Sequence, residues 1–202
     1  MKIIDCLQCS PEWFAARLGI PTASRFDKII APGGAPSKSA DGYMNELLAE
    51  YLAGSPIDAE DTTHWMERGS LLETVARVQY EFLTDNTVEQ VGFCLDDSGK
   101  WGCSPDGLID EKGMLEIKCP KHTTIIEYYR NGFPKKYTPQ VQGQMWVTGR
   151  SWCDFFAYHP QLKPFMVRVD RDDEYIGKME KEMIAFCDKL DEAKKDLEGW
   201  KL

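Results

Sequence analysis

The sequence has no apolar run near the roughly 20 residues a membrane helix needs, and its opening Met1-Lys2-Ile3-Ile4-Asp5-Cys6 lacks the apolar stretch of a signal peptide. The expectation is a protein that stays in the cytoplasm and does not enter a membrane. Histidine is scarce: His64, His122 and His159 are far apart. The seven cysteines, at 6, 9, 94, 103, 119, 153 and 187, are odd in number and follow no framework spacing. Cys6-x-x-Cys9 resembles half a zinc site, but no second pair follows at finger-like spacing, and no four thiols are placed for an iron–sulfur cluster. The cysteines therefore read as thiols in a reducing compartment. Positive charge is also in short supply, with 24 Lys and Arg against 33 Asp and Glu, a net charge of −9. That excludes a broad cationic coat for holding nucleic acid. It leaves room for a local basic cleft built from Arg17, Arg25, Arg68, Lys118, Lys121, Lys135 and Lys136.

What is present is a 202-residue chain of ordinary apolar content, 43%, with no repeats and no low-complexity tract. Its length favours one domain over residues 1–202. Ser10-Pro11-Glu12-Trp13 is a helix start, with Ser as cap, Pro at the first position and Glu in the first turn. That helix is expected to run to about Leu18 and to stop at Gly19, and Thr22-Ala23-Ser24 begins another. Ala31 to Ser37 is rich in breakers and reads as an exposed loop. Helices are expected from Asp41 to Leu52 and from Thr63 to Leu83, the second with Leu72, Val75, Ala76 and Phe82 on its apolar face. Val88–Leu95, Lys100–Ile109 and Gly113–Cys119 read as a meander of three strands. Helices over 121–131 and 137–148, strands Trp152–Tyr158 and Phe165–Asp170, and an amphipathic helix from Asp173 to Leu197 complete the order. The fold class implied is α+β or mixed α/β, a central mixed sheet flanked by helices.

Within the strand region, Ser104-Pro105-Asp106 is followed by Glu116-Ile117-Lys118. Glu116 and Lys118 are two apart on one strand and share a face, and a short turn can fold that strand back beside Asp106. Two carboxylates and the Ile117 carbonyl make an oxygen donor set suited to magnesium. Lys118 is then placed to orient or deprotonate an attacking water, or to stabilise charge on phosphorus. Taken alone, the same residues also read as an ordinary Pro-Asp-Gly turn and an exposed Glu-x-Lys strand face.

The surrounding pattern resembles the bacteriophage lambda exonuclease family of viral recombination nucleases, within the PD-(D/E)xK superfamily and its restriction-endonuclease-like core. The resemblance rests on Trp13 through Gly19, Thr22-Ala23-Ser24, Glu73, Ser104-Pro105-Asp106-Gly107, Leu115 through Pro120, Gln140-Val141-Gln142 and Gln144 through Thr148. It implies an exonuclease that digests one strand of duplex DNA from its 5′ end and leaves a 3′ overhang. By that resemblance Asp106, Glu116, the Ile117 carbonyl and Glu73 hold magnesium, with manganese as a substitute, and Lys118 is the catalytic lysine. Two ions roughly 3.5 to 4 Å apart would clamp the attacking and leaving oxygens. Arg17, Ser24, Ser104 and Gln140 match positions around the terminal 5′ phosphate, and Tyr137, three residues before Gln140, faces the same side. Met66 falls where an apolar wedge could part the strands. The loop at Ala31-Pro32-Gly33-Gly34 departs from the family by lacking an Arg. The family further implies a trimeric ring around double-stranded DNA and a single-strand annealing protein as partner. A structure- or site-specific endonuclease on the same fold and a non-catalytic DNA-end binder are the alternatives.

Overall fold

The computed structural model describes residues 1–57 and 64–200, with residues 64–70 described by their backbone alone. Met66 therefore lies outside the described side chains. Helix α1, Pro11–Arg17, begins as its sequence dictates: the Ser10 hydroxyl accepts from the Trp13 amide at 3.3 Å, Pro occupies the first turn, and Glu12 and Arg17 sit at the dipole ends that suit their charge. Gly19, at φ +66°, turns the chain out of it. A 3-10 turn, Ala23–Lys28, follows the Thr22 start. Helices α2, Ala40–Ala53, and α3, His64–Thr84, come next.

The strands form two sheets. In the first, β1 (Lys2–Ile4), β2 (Phe93–Leu95) and β3 (Gly102–Cys103) pair antiparallel in that order. In the second, β4 (Gly107–Ile109), β5 (Gly113–Lys118), β6 (Trp152–Ala157) and β7 (Phe165–Asp170) lie side by side. Only β5 and β6 run parallel, so a crossover must join them, and it carries α4, His122–Asn131, and α5, Thr138–Thr148. Helix α6, Asp173–Asp196, is capped by the Asp172 carboxylate, which accepts from the Tyr175 amide at 2.9 Å. It buries Ile176, Met179, Met183, Phe186 and Leu190, a repeat of three to four residues, against the core. The result is the expected mixed α/β class, a mixed four-stranded sheet flanked by helices.

Three expectations change. The meander is not one sheet: the run Lys100–Ile109 is broken at residues 104–106 into β3 and β4, which belong to different sheets. Pro105 has no N–H to give a ladder, so the break falls there. Strand β1 was not anticipated from its short mixed sequence. On α3, Val75 and Phe82 are exposed, Phe82 by 82%. The stripe turned inward is Ala76, Arg77 and Tyr80, with Glu73 one turn earlier. Apolar periodicity caught only Ala76 of it, because half of that stripe is charged.

Strand β5 separates two packed layers. Met114 faces a core of Phe26, Val141, Met145, Phe155 and the α6 side chains. Leu115 and Ile117 face Ala76, Tyr80 and Phe156 on the α3 side. Glu116 and Lys118 therefore point to the α5 side. Among the described residues no helix is long and apolar enough to cross a membrane.

Candidate active site

The β4–β5 register pairs Gly107 with Leu115. One residue further along, it sets Asp106 opposite Glu116, where the ladder has ended. The Asp106 carboxylate bends across that gap and accepts from the Ile117 amide at 2.5 Å. Glu116 is 1% exposed. Its Oε1 accepts from the Lys118 ammonium at 2.5 Å and from Gln140 Nε2 at 2.6 Å, and its Oε2 accepts from Gln144 Nε2 at 2.8 Å. The structure thus brings Asp106, Glu116, Ile117, Lys118 and Gln140 together at one end of the four-stranded sheet.

Charge at this point is out of balance. Burial, and after it the nearby charges of Glu116 and Glu73, push the Asp106 carboxyl well above its usual range. Burial by itself would lower Lys118, but Glu116 and Asp106 outweigh it and hold the ammonium charged. Lys118 and Arg77 stand against three acidic groups, Asp106, Glu116 and Glu73, so ionising all three leaves a negative surplus that a divalent cation would offset. The donors are oxygen, as magnesium prefers, so the residues present fit such an ion. Glu73 stands at the rim, with its carboxylate paired to Arg77 at 3.0 Å. Among the described residues no three acidic, histidine or cysteine side chains close on a single point.

Beside this centre is a cleft lined by Arg17 and Arg25 together with Glu46 and Glu50. Arg17 stacks on Trp13, 3.9 Å from the ring centroid. Its Nη1 donates to Ser104 Oγ at 3.3 Å and its Nη2 to Thr22 Oγ1 at 3.5 Å, and Trp13 Nε1 also donates to Ser104 Oγ at 2.8 Å. Burial lowers the pKa of Arg17, and among the described residues no carboxylate lies within ion-pair distance of it. A desolvated guanidinium held by an indole face and two hydroxyls is set up to receive an anion. Ser24 is exposed on the 3-10 turn and lines a separate small cleft with Asp27, Lys136, Tyr137 and Gln140. Tyr137 lies between two ammonium groups, Lys118 Nζ at 5.1 Å and Lys136 Nζ at 5.0 Å from its ring, and packs on Phe155.

Two findings go beyond the residues singled out from sequence. Gln140, expected at a phosphate, donates to Glu116. Gln144, given no role, holds the other oxygen of the same carboxylate; its four-residue spacing from Gln140 on a helix was the available signal. The cysteines are all free, with Cys94, Cys103, Cys153 and Cys187 buried as expected and Cys9 exposed.

Residues 12–151 match the model of the YqaJ-like viral recombinase domain. An alkaline exonuclease (LHK-Exo) from Laribacter hongkongensis is 38% identical over 94% of this chain and 96% of its own, with a TM-score of 0.85. Its complex with dAMP aligns with the same TM-score, 0.85, at 39% identity over 93% and 96%. A phage related exonuclease from Haemophilus somnus 129PT shares the fold, with a TM-score of 0.67 at 16% identity over 88% and 96%. No curated protein sequence matches the chain. Matched by the family model over most of its length, this chain belongs to the YqaJ-like viral recombinase family.

Proposed function

We propose that this chain is a magnesium-dependent exodeoxyribonuclease that degrades one strand of linear duplex DNA from its 5′ end, leaving a 3′ overhang for recombination. The observation that carries the reading is the spacing along residues 104–106. Ser104 is tied to Arg17, and two residues later Asp106 joins Glu116 and Lys118. An anion pocket and a phosphodiester-cleaving centre are thereby set side by side. The naming of a 38% identical relative as an alkaline exonuclease, and its complex with dAMP, support the same reading.

Asp106, Glu116 and the Ile117 carbonyl would hold the cation, with Glu73 joining after it releases Arg77, enough for two ions. When bound, magnesium supplies Lewis acidity toward the phosphoryl oxygen and a more acidic water. Lys118, bonded to Glu116, would orient the attacking water and donate to the charge that grows on the phosphoryl group. Arg17 and Ser104, with Ser24 and Gln140 from the neighbouring cleft, grip the terminal 5′ phosphate and so give the enzyme its direction. Tyr137, held between Lys118 and Lys136, lines the path of the strand. A homotrimeric ring around the duplex, action in the cytoplasm of a bacterial host, and a single-strand annealing partner belong to this reading on the family resemblance.

The test compares linear duplex bearing a 5′ phosphate, linear duplex bearing a 5′ hydroxyl, and covalently closed circular duplex, each with and without magnesium. The expected order is fast release of mononucleotides from the first, slower from the second and none from the circle, with all activity lost in chelator. Rapid cutting of the circle would turn the reading to an endonuclease. End binding without nucleotide release at any magnesium or manganese concentration would leave only a DNA-end binding protein.

A further inference from the structure

The two amides on Glu116 are one helical turn apart on α5 but differ in their surroundings. Gln144 is 1% exposed, and its carbonyl oxygen is buried without a hydrogen-bond partner among the described residues. Gln140 is partly exposed and lines the cleft shared by Ser24, Lys136 and Tyr137. The helix that carries them is braced. Gln142 bonds the Asp170 carbonyl and the Asp172 amide, and Arg171 bonds the Met145 carbonyl. Gly143 lies so near Phe26 that an added Cβ would stand 2.4 Å from its ring. Gln144 thus has a fixed base and no contact with bulk solvent. For filling space, a Met or Leu of similar size would serve without burying an orphaned carbonyl. What the amide adds is one directed N–H, and it is aimed at Glu116 Oε2.

We infer that Gln144 is a positioning residue for Glu116: it occupies Oε2 at all times and so presents Oε1 as that carboxylate's single oxygen toward the cleft. Gln140 is the exchangeable partner, which leaves Oε1 when a cation or a DNA phosphate enters. The inference rests on the proposal that Glu116 is a cation ligand. It assigns the two glutamines opposite duties, since Gln144 acts on the carboxylate whether or not DNA is present and Gln140 acts mainly once DNA has arrived.

The experiment measures manganese binding to the DNA-free protein by calorimetry, and kcat and KM on 5′-phosphorylated duplex, for the unaltered chain and for Gln144→Met, Gln144→Asn and Glu116→Gln. Gln144→Met keeps the volume and removes the donor; Gln144→Asn keeps the amide and withdraws its reach, which supplies a second variant should the first fail to fold. A folded variant is expected to weaken manganese binding about tenfold, the usual effect of losing a partner that orients a metal ligand. kcat should fall at limiting metal and recover at high metal, with KM for the duplex little changed. Unaltered manganese affinity in the two Gln144 variants, alongside lost affinity in Glu116→Gln, overturns the inference and leaves the metal site standing. Unaltered affinity in Glu116→Gln overturns both.

Discussion

Two buried carboxylates lie on neighbouring strands and meet opposite fates. Asp154 on β6 faces the α3 side and Glu116 on β5 faces α5. Asp154 is fully provided for: Arg168 donates to its two oxygens at 2.8 and 2.9 Å, Tyr80 donates at 2.7 Å, and the guanidinium lies flat on Trp152, 3.6 Å from the ring centroid. Glu116 is bonded to two amides and a single lysine, with a second carboxylate, Asp106, across the ladder. The first arrangement neutralises its charge and closes. The second holds more carboxyl groups than its lysine can balance once all are ionised, on the side where a cleft opens. A buried acid by itself says little about function, and the sign of the residual charge around it separates the structural case from the chemical one.

That contrast can be broken or sharpened by substitution. The largest effect is expected from Glu116→Ala or Lys118→Ala, which should reduce nucleotide release by at least about a thousandfold, or roughly 4 kcal/mol in the barrier, while circular dichroism and the thermal midpoint show a folded protein. Activity surviving both changes removes this assignment of the site. Asp154→Ala should do the reverse. It leaves the Tyr80 hydroxyl buried without its acceptor, but Arg168, 51% exposed, can turn to water, so the loss is about 2 to 3 kcal/mol of stability with cleavage retained well below the lowered midpoint. A loss of cleavage in the folded variant would merge the two regions into one functional unit.

A subtler probe uses pH. Because Asp106 is held above its usual range by burial and by its acidic neighbours, the folded chain binds that proton more tightly than the unfolded chain does, where the carboxyl titrates near about 3.9. Cation-free protein should therefore lose stability as pH rises from there through the raised folded value. Asp106→Asn should flatten that slope, and magnesium should raise the melting temperature most at its upper end. A variant that keeps the full slope shows that the charge surplus lies elsewhere. The smallest effect is expected for Tyr80→Phe, about 1 kcal/mol with no change in cleavage, read from urea unfolding against an activity assay.

Much of this was legible in the sequence, for identifiable reasons. The Ser10 cap, the Asp173 start of α6 and the strand Phe165–Asp170 follow local rules and fall where those rules put them. The Glu116 and Lys118 pair was legible because strand alternation alone puts them on one face. The division of Lys100–Ile109 between two sheets was not, since its composition is continuous and only Pro105 marks the break. The inward face of α3 was hidden because Arg77 is buried there, with Glu73 beside it, while Leu71, Val75, Val78 and Phe82 face outward. Gln144 was obscured for the same reason: a buried amide looks polar to any hydropathy pattern, and only its partner reveals its use.

The crossing at residues 104–106 has a bearing on how such a protein can change. Ser104 extends from the small sheet and is tied to α1 through Trp13 and Arg17, whereas Asp106 leads into the large sheet that carries Glu116 and Lys118. Under the proposed roles, end selection and bond cleavage are inherited through different frameworks joined by one short segment. Alterations to α1 and the small sheet can then retune which termini are admitted while the cleaving apparatus is passed on unaltered.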